Sequence, residues 1–151
     1  MRRGAKEGIR AQQQRLSEPL SLRVPSNPEY VMLARLVVSH VARVAGFGPE
    51  ETYDLKLAVT EAATNVIRHA AVDHFEIEYR ILPEAVQITV TDAGGGFDIE
   101  EAGGSPDGYG GFGLAVIRHL VDEMVVDSAP DGTRLRMIRR RGASVEEASN
   151  G

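Results

Sequence analysis

The stretch Thr60-Glu61-Ala62-Ala63-Thr64-Asn65-Val66-Ile67-Arg68-His69 decides how the rest of the chain is read. Glu61 and Asn65 are four residues apart, with Arg68 and His69 about one further turn on. At 3.6 residues per turn all four share one side of a helix. Val59, Ala62, Ala63, Val66, Ile67 and Ala70 cover much of the remaining surface, so this helix is expected to be buried on most sides. A carboxylate and an amide on such a helix need partners, because unpaired buried polar groups are costly. The plain structural solution is that Glu61 and Asn65 pair with each other or with a neighbouring loop. The other is that they face a ligand, and two glycine clusters further along favour it.

Working outward, Leu20-Ser21-Leu22-Arg23-Val24 alternates with period two and stops at Pro25, which predicts a short edge strand. Asn27-Pro28-Glu29 supplies an N-cap, a proline at the first helical position and an early acid. The helix it opens should run to about Ala45 and stop at Gly46, with Val31, Ala34, Val38, Val41 and Ala45 as its apolar stripe. Arg35 and Arg43 project elsewhere. Gly48-Pro49-Glu50-Glu51 opens the central helix, which carries through to Ala70. Phe75–Ile81 and Val86–Thr91 alternate around Pro83-Glu84 and predict a hairpin. The second of these strands runs into Asp92-Ala93-Gly94-Gly95-Gly96-Phe97. Asp98 to Gly111 is rich in Gly, Pro, Ser and acids and reads as a mobile loop. A third helix opens at Gly111-Phe112-Gly113-Leu114, and a second hairpin, Met124–Ser128 with Thr133–Arg139, turns at Pro130-Asp131-Gly132.

This order predicts an α+β fold, a two-layer sandwich of a mixed, mostly antiparallel sheet with helices on one face. Residues 1–18 form a polar tail in which Arg2, Arg3, Lys6, Arg10 and Arg15 outweigh Glu7, and a mobile arm is expected. The domain spans 19–141, and the polar residues 142–151 are expected to be a disordered tail.

Composition narrows the function. The 151 residues allow one domain with a real core. A formal net charge of −5 argues against a general nucleic-acid binder. The absence of cysteine excludes disulfides and thiolate metal sites and fits a cytoplasmic setting. No apolar run is long enough to span a bilayer, and the N-terminal residues have no signal-like apolar core.

The second glycine cluster sits at a helix start, where backbone N–H groups and the helix dipole favour an anion. No Gly-Lys-Ser/Thr follows, so this is not a P-loop, and no parallel strand–helix–strand unit surrounds it. Glu61–Asn65, Asp92-Ala93-Gly94-Gly95-Gly96-Phe97, Gly111-Phe112-Gly113-Leu114 and Gly132-Thr133 resemble, in order and spacing, the N box and G boxes of the GHKL (Bergerat-fold) ATPases. The resemblance covers about Leu20 to Arg140. Within that superfamily, the run Ala58 to Ala70 resembles the bacterial anti-sigma-factor serine kinases.

The resemblance implies MgATP as the bound group, with Asn65 holding Mg²⁺ through its side-chain oxygen. Asp92 would accept from the adenine amino group, and Thr133 would support it through a water. Gly94 and Gly96, with Phe97 beside them, would let the loop pass close to the base. Gly111, Gly113 and Leu114 would offer N–H groups to the phosphates, and Glu61 would be the general base. Arg68, where relatives often have lysine, is a candidate phosphate contact, with His69 a second. It further implies a homodimer, a sigma factor and an anti-anti-sigma antagonist as alternating partners, no direct nucleic-acid contact, and a partner surface on the first helix, where Arg35 is the chosen residue.

One departure bears on activity. Between Asp98 and Gly111 there is no Lys or Arg; Asp98, Glu100, Glu101 and Asp107 stand there instead. Phosphoryl transfer is mostly positioning and charge stabilisation. A module that binds nucleotide and sequesters partners without transfer is therefore the alternative. The catalytic fragment of a sensor histidine kinase ranks last, because no histidine precedes His40, which lies inside the first helix.

Overall fold

The computed structural model describes residues 18–94 and 111–142. Strand β1 spans Leu20–Pro25, helix α1 Val31–Val44 and helix α2 Pro49–His69. Strands β2 and β3 are His74–Leu82 and Ala85–Asp92; helix α3 is Gly111–Leu120; β4 and β5 are Glu123–Ala129 and Gly132–Arg140. The five strands form one sheet in the order β1-β2-β3-β5-β4, and every pairing is antiparallel. β1 is an edge, as its terminal proline predicts. The loop expected at Asp98–Gly111 lies outside the described residues up to Gly111, which opens α3, and so does most of each expected tail.

The sheet alternates as period two requires. Val24, Phe75, Ile77, Tyr79, Val86, Ile88, Val90, Leu135 and Met137 point into the core. The helices cover that face. α2 lies between α1 and α3, packed on both, which is why Leu55, Ala58, Val59, Ala62, Ala63 and Val66 are all buried on it. Arg139 reaches across from β5, 3.2 Å from Asp54 of α2 and 3.5 Å from Asp122.

Three local details differ from the sequence reading. Asn27 does cap Glu29 N–H at 3.1 Å. The first turn, Pro28–Tyr30, is nevertheless 3₁₀, because Tyr30 N–H closes onto Asn27 O three residues back. Arg35 is half-buried rather than free on the surface; its Nε is shut away from solvent and unpartnered among the described residues. The α1 face turned from the core carries Met32, Leu33 and Leu36, the last 62% exposed.

Tyr79 fastens α1 to the sheet: its buried hydroxyl donates to Ala34 O at 3.0 Å. Burial pushes its pKa well above the ordinary value. Tyr79→Phe should cost about 1 kcal/mol at neutral pH. The sign with pH follows from the raised pKa. Below about pH 10 the contribution is complete; above it the unfolded chain ionises first and the contribution falls by about 1.4 kcal/mol per unit. The wild-type advantage should thus vanish roughly one unit above pH 10, as urea unfolding of both proteins at pH 8 and at high pH would show.

Candidate functional site

The site is assembled where the end of α2 meets the ends of β3 and β5. Register does much of the work. Asp92 stands opposite Thr133, and Val90 opposite Leu135, so four inward side chains form a square at the sheet edge of the core. Ala62, Asn65 and Val66 of α2 face this square, and Leu114 of α3 closes it. The enclosed slot is about 10 Å³, room for roughly one water. Ser128, opposite Thr133 on β4, lies within hydrogen-bonding distance of its hydroxyl at 3.2 Å.

Two buried polar side chains define the chemistry. Asp92 is 4% exposed, and one carboxylate oxygen, Oδ1, accepts the Gly94 N–H at 3.0 Å. Asn65 is 7% exposed, and its amide makes no hydrogen bond among the described residues. Glu61, one turn before it and half-buried, likewise meets no cation or donor there. The plain structural pairing of Glu61 with Asn65 is therefore not made. The Asn65 amide atoms are not among the fully buried unpartnered ones of the described residues, so water or a ligand can reach them.

The glycines hold the backbone close. A Cβ on Gly113 would lie 2.8 Å from Asn65 Nδ2 and 2.9 Å from its Oδ1, so the first turn of α3 is pressed onto the amide. A Cβ on Gly94 would lie 2.3 Å from Ala70 O. That carbonyl is at the C-cap of α2, which the chain leaves through Ala71 at φ 52. Only a residue without a side chain lets the loop after β3 cross there.

Of the residues singled out in the sequence, Asn65, Asp92, Leu114 and Thr133 share the slot, with Gly94 and Gly113 against it; Glu61, one turn before Asn65 on α2, does not line it. Gly111 is the first residue of α3. Arg68 and His69 are exposed in the last turn of α2. Gly96 and Phe97 lie outside the described residues. Arg35, on α1, does not line the slot. Sequence reasoning missed the apolar walls Val90 and Leu135; their signal is that each stands two residues from a polar site residue, on the same face of its strand.

The oxygen donors suit a hard cation. No group of three or more His, Asp or Glu side chains among the described residues could hold a metal alone. Asn65 offers one amide oxygen, the ligand type Mg²⁺ prefers, so the side chain suits that ion only as one ligand beside phosphate oxygens and water.

Residues 24–139 match the histidine kinase-like ATPase domain. The chain is 36% identical over 124 residues to the serine-protein kinase RsbW of Oceanobacillus iheyensis, covering 72% of this chain and 78% of the relative. It is 32% identical over 150 residues to RsbW of Staphylococcus aureus, covering 84% and 94%. Among solved structures, the RsbU and RsbW domains of a Mycobacterium tuberculosis protein superpose with a TM-score of 0.66 at 17% identity, covering 84% of this chain and 33% of that one. The SiaB–SiaC complex of Pseudomonas aeruginosa gives 0.60 at 13% identity, over 91% and 99%. At these identities the structural likeness is one of fold.

Proposed function

The chain belongs to the histidine kinase-like ATPase domain family, among its serine-protein kinases, and from that premise we propose an anti-sigma kinase working by partner switching. It phosphorylates a serine of an antagonist protein with MgATP and, when the antagonist is absent or phosphorylated, holds a sigma factor. The observation that carries the reading is the pair of buried polar residues, Asp92 and Asn65, facing one slot between α2 and the sheet with hydrogen-bonding capacity that the described residues leave unused.

In this reading Asp92 accepts from the adenine amino group and selects a base that donates there, with Thr133 beside it. Gly113 and Leu114 offer N–H groups at the start of α3, and the helix dipole favours phosphate there. Asn65 would hold Mg²⁺, which supplies charge neutralisation at the phosphates. Arg68 and His69, exposed at the same end of α2, contact phosphate in this reading. Glu61 takes the proton of the serine hydroxyl as its oxygen bonds to the γ-phosphorus and ADP departs. Arg35 contacts the partners, and the outward Met32, Leu33 and Leu36 give a homodimer an apolar patch to bury.

Single-turnover transfer of labelled γ-phosphate to a copurifying antagonist tests this reading. Label on the antagonist serine is the expected result. No label from a protein with MgATP demonstrably bound would leave the non-transferring module, the reading favoured by the absence of Lys and Arg between Asp98 and Gly111. Gly113→Ala offers a finer check. The added methyl must push Asn65 off its rotamer, at about 0.5–1.5 kcal/mol. ADP affinity measured by calorimetry should fall about two- to tenfold.

A further inference from the structure

We propose that a second cleft, at the opposite end of α2 from Asn65, binds an acidic peptide segment, and that its occupant in the free protein is the chain's own residues 143–151. The cleft, about 440 Å³, lies between the last turns of α1 and the first turns of α2. Arg43 and Lys56 are the charged side chains that line it, with Glu51 at its rim beside Gly48. Neither cation has a partner among the described residues.

The other polar groups cannot take their place. The hydroxyls of Ser39 and Thr52 donate to carbonyls within the helical segments, Arg35 O at 2.9 Å and Gly48 O at 2.8 Å. The N-cap of α2 is Gly48, which has no side chain to cap the helix, and Glu50 and Glu51 stand in its first turn. Two cations without partners among the described residues, on a wall that includes Tyr53, fit a carboxylate-bearing peptide better than a neutral one.

The tail leaves the fold beside this cleft. Gly142 N–H donates to Glu51 Oε2 at 3.0 Å, while Glu51 Oε1 lies 3.6 Å from where a Cβ on the cleft residue Gly48 would stand. The four Cα–Cα steps from Gly142 to Glu146 reach about 13 Å when extended. Glu146 and Glu147 are the only charged side chains between 143 and 151. The tether places them at an effective concentration on the order of millimolar, so individually weak surface pairs suffice.

Amide NMR spectra of the full chain decide the question, because they do not depend on the nucleotide site or on a partner. Removing residues 143–151 should shift the signals of Gly48, Thr52, Tyr53 and Lys56, and the full chain carrying Glu146→Gln and Glu147→Gln should show the same shifts. Raising salt to about 0.5 M should do so in part, since the pairs are screened. The full chain with Arg43→Gln and Lys56→Gln should no longer respond to tail removal. Two results would overturn the proposal: a deletion that moves only Glu51, Arg141 and Gly142, or a charge-neutral tail that leaves the cleft signals where the intact tail puts them.

Discussion

The Glu61→Gln protein is expected to hold adenine nucleotide as tightly as the wild type and to pass phosphate to an antagonist serine about 10²–10⁴-fold more slowly. Glutamine keeps the size of glutamate and much of its hydrogen-bonding shape, and removes only the proton acceptor. Glu61 sits on α2 one turn before Asn65, half-buried, with no partner among the described residues. It therefore has no ion pair there to lose, and the substitution should leave the melting temperature unchanged. The competing view, that Glu61 stabilises the polar seam of the helix, predicts the reverse pattern of a lowered melting temperature and a spared rate. Single-turnover transfer beside a nucleotide-binding isotherm and a thermal melt separates the two. Wild-type transfer by the glutamine protein would remove Glu61 from the general-base role. Asn65→Ala should differ from it by weakening MgATP binding and transfer together, since Asn65 is the side chain assigned to the ion.

Much of the fold is local in origin and was legible as such. Phe75 to Ile81 and Val86 to Thr91 alternate, and a two-residue turn fixes them as a hairpin. Asn27, Gly46 and Pro49 mark helix ends where the structure has them. What escaped the sequence is non-local or runs against propensity. The adjacency of β3 and β5 joins Asp92 to Thr133 across forty residues, and no period in the sequence encodes it; only the family resemblance placed the two together. Ala71 ends the exit from α2 in a left-handed conformation that sequence rules assign to glycine or asparagine. The outward apolar residues of α1 follow no core-facing stripe. The separation of Glu61 from Asn65 was also unreadable, because an i, i+4 spacing permits a side-chain pair without requiring one.

Asp92→Asn should weaken ADP binding by about tenfold or more while leaving the protein at least as stable as the wild type. The affinity loss follows from the proposed contact. A hydrogen bond to a charged acceptor is worth about 1.5–3 kcal/mol, and an amide nitrogen turned toward the adenine amino group would oppose one donor with another. The stability side comes from the structure without ligand. Asp92 is 4% exposed, and the one neutral donor given to it among the described residues is Gly94 N–H, at 3.0 Å on Oδ1. Its other oxygen is not among the fully buried unpartnered atoms, so neutralising the side chain strands no buried partner. Asparagine can keep its oxygen on Gly94 N–H while shedding the charge. A residue retained for folding would behave oppositely, with stability falling and affinity following only as the fraction folded falls. Calorimetry with ADP and urea unfolding of the same two proteins give both quantities. Unchanged affinity in the asparagine protein would remove Asp92 from the adenine contact, and a large loss of stability would return it to the fold.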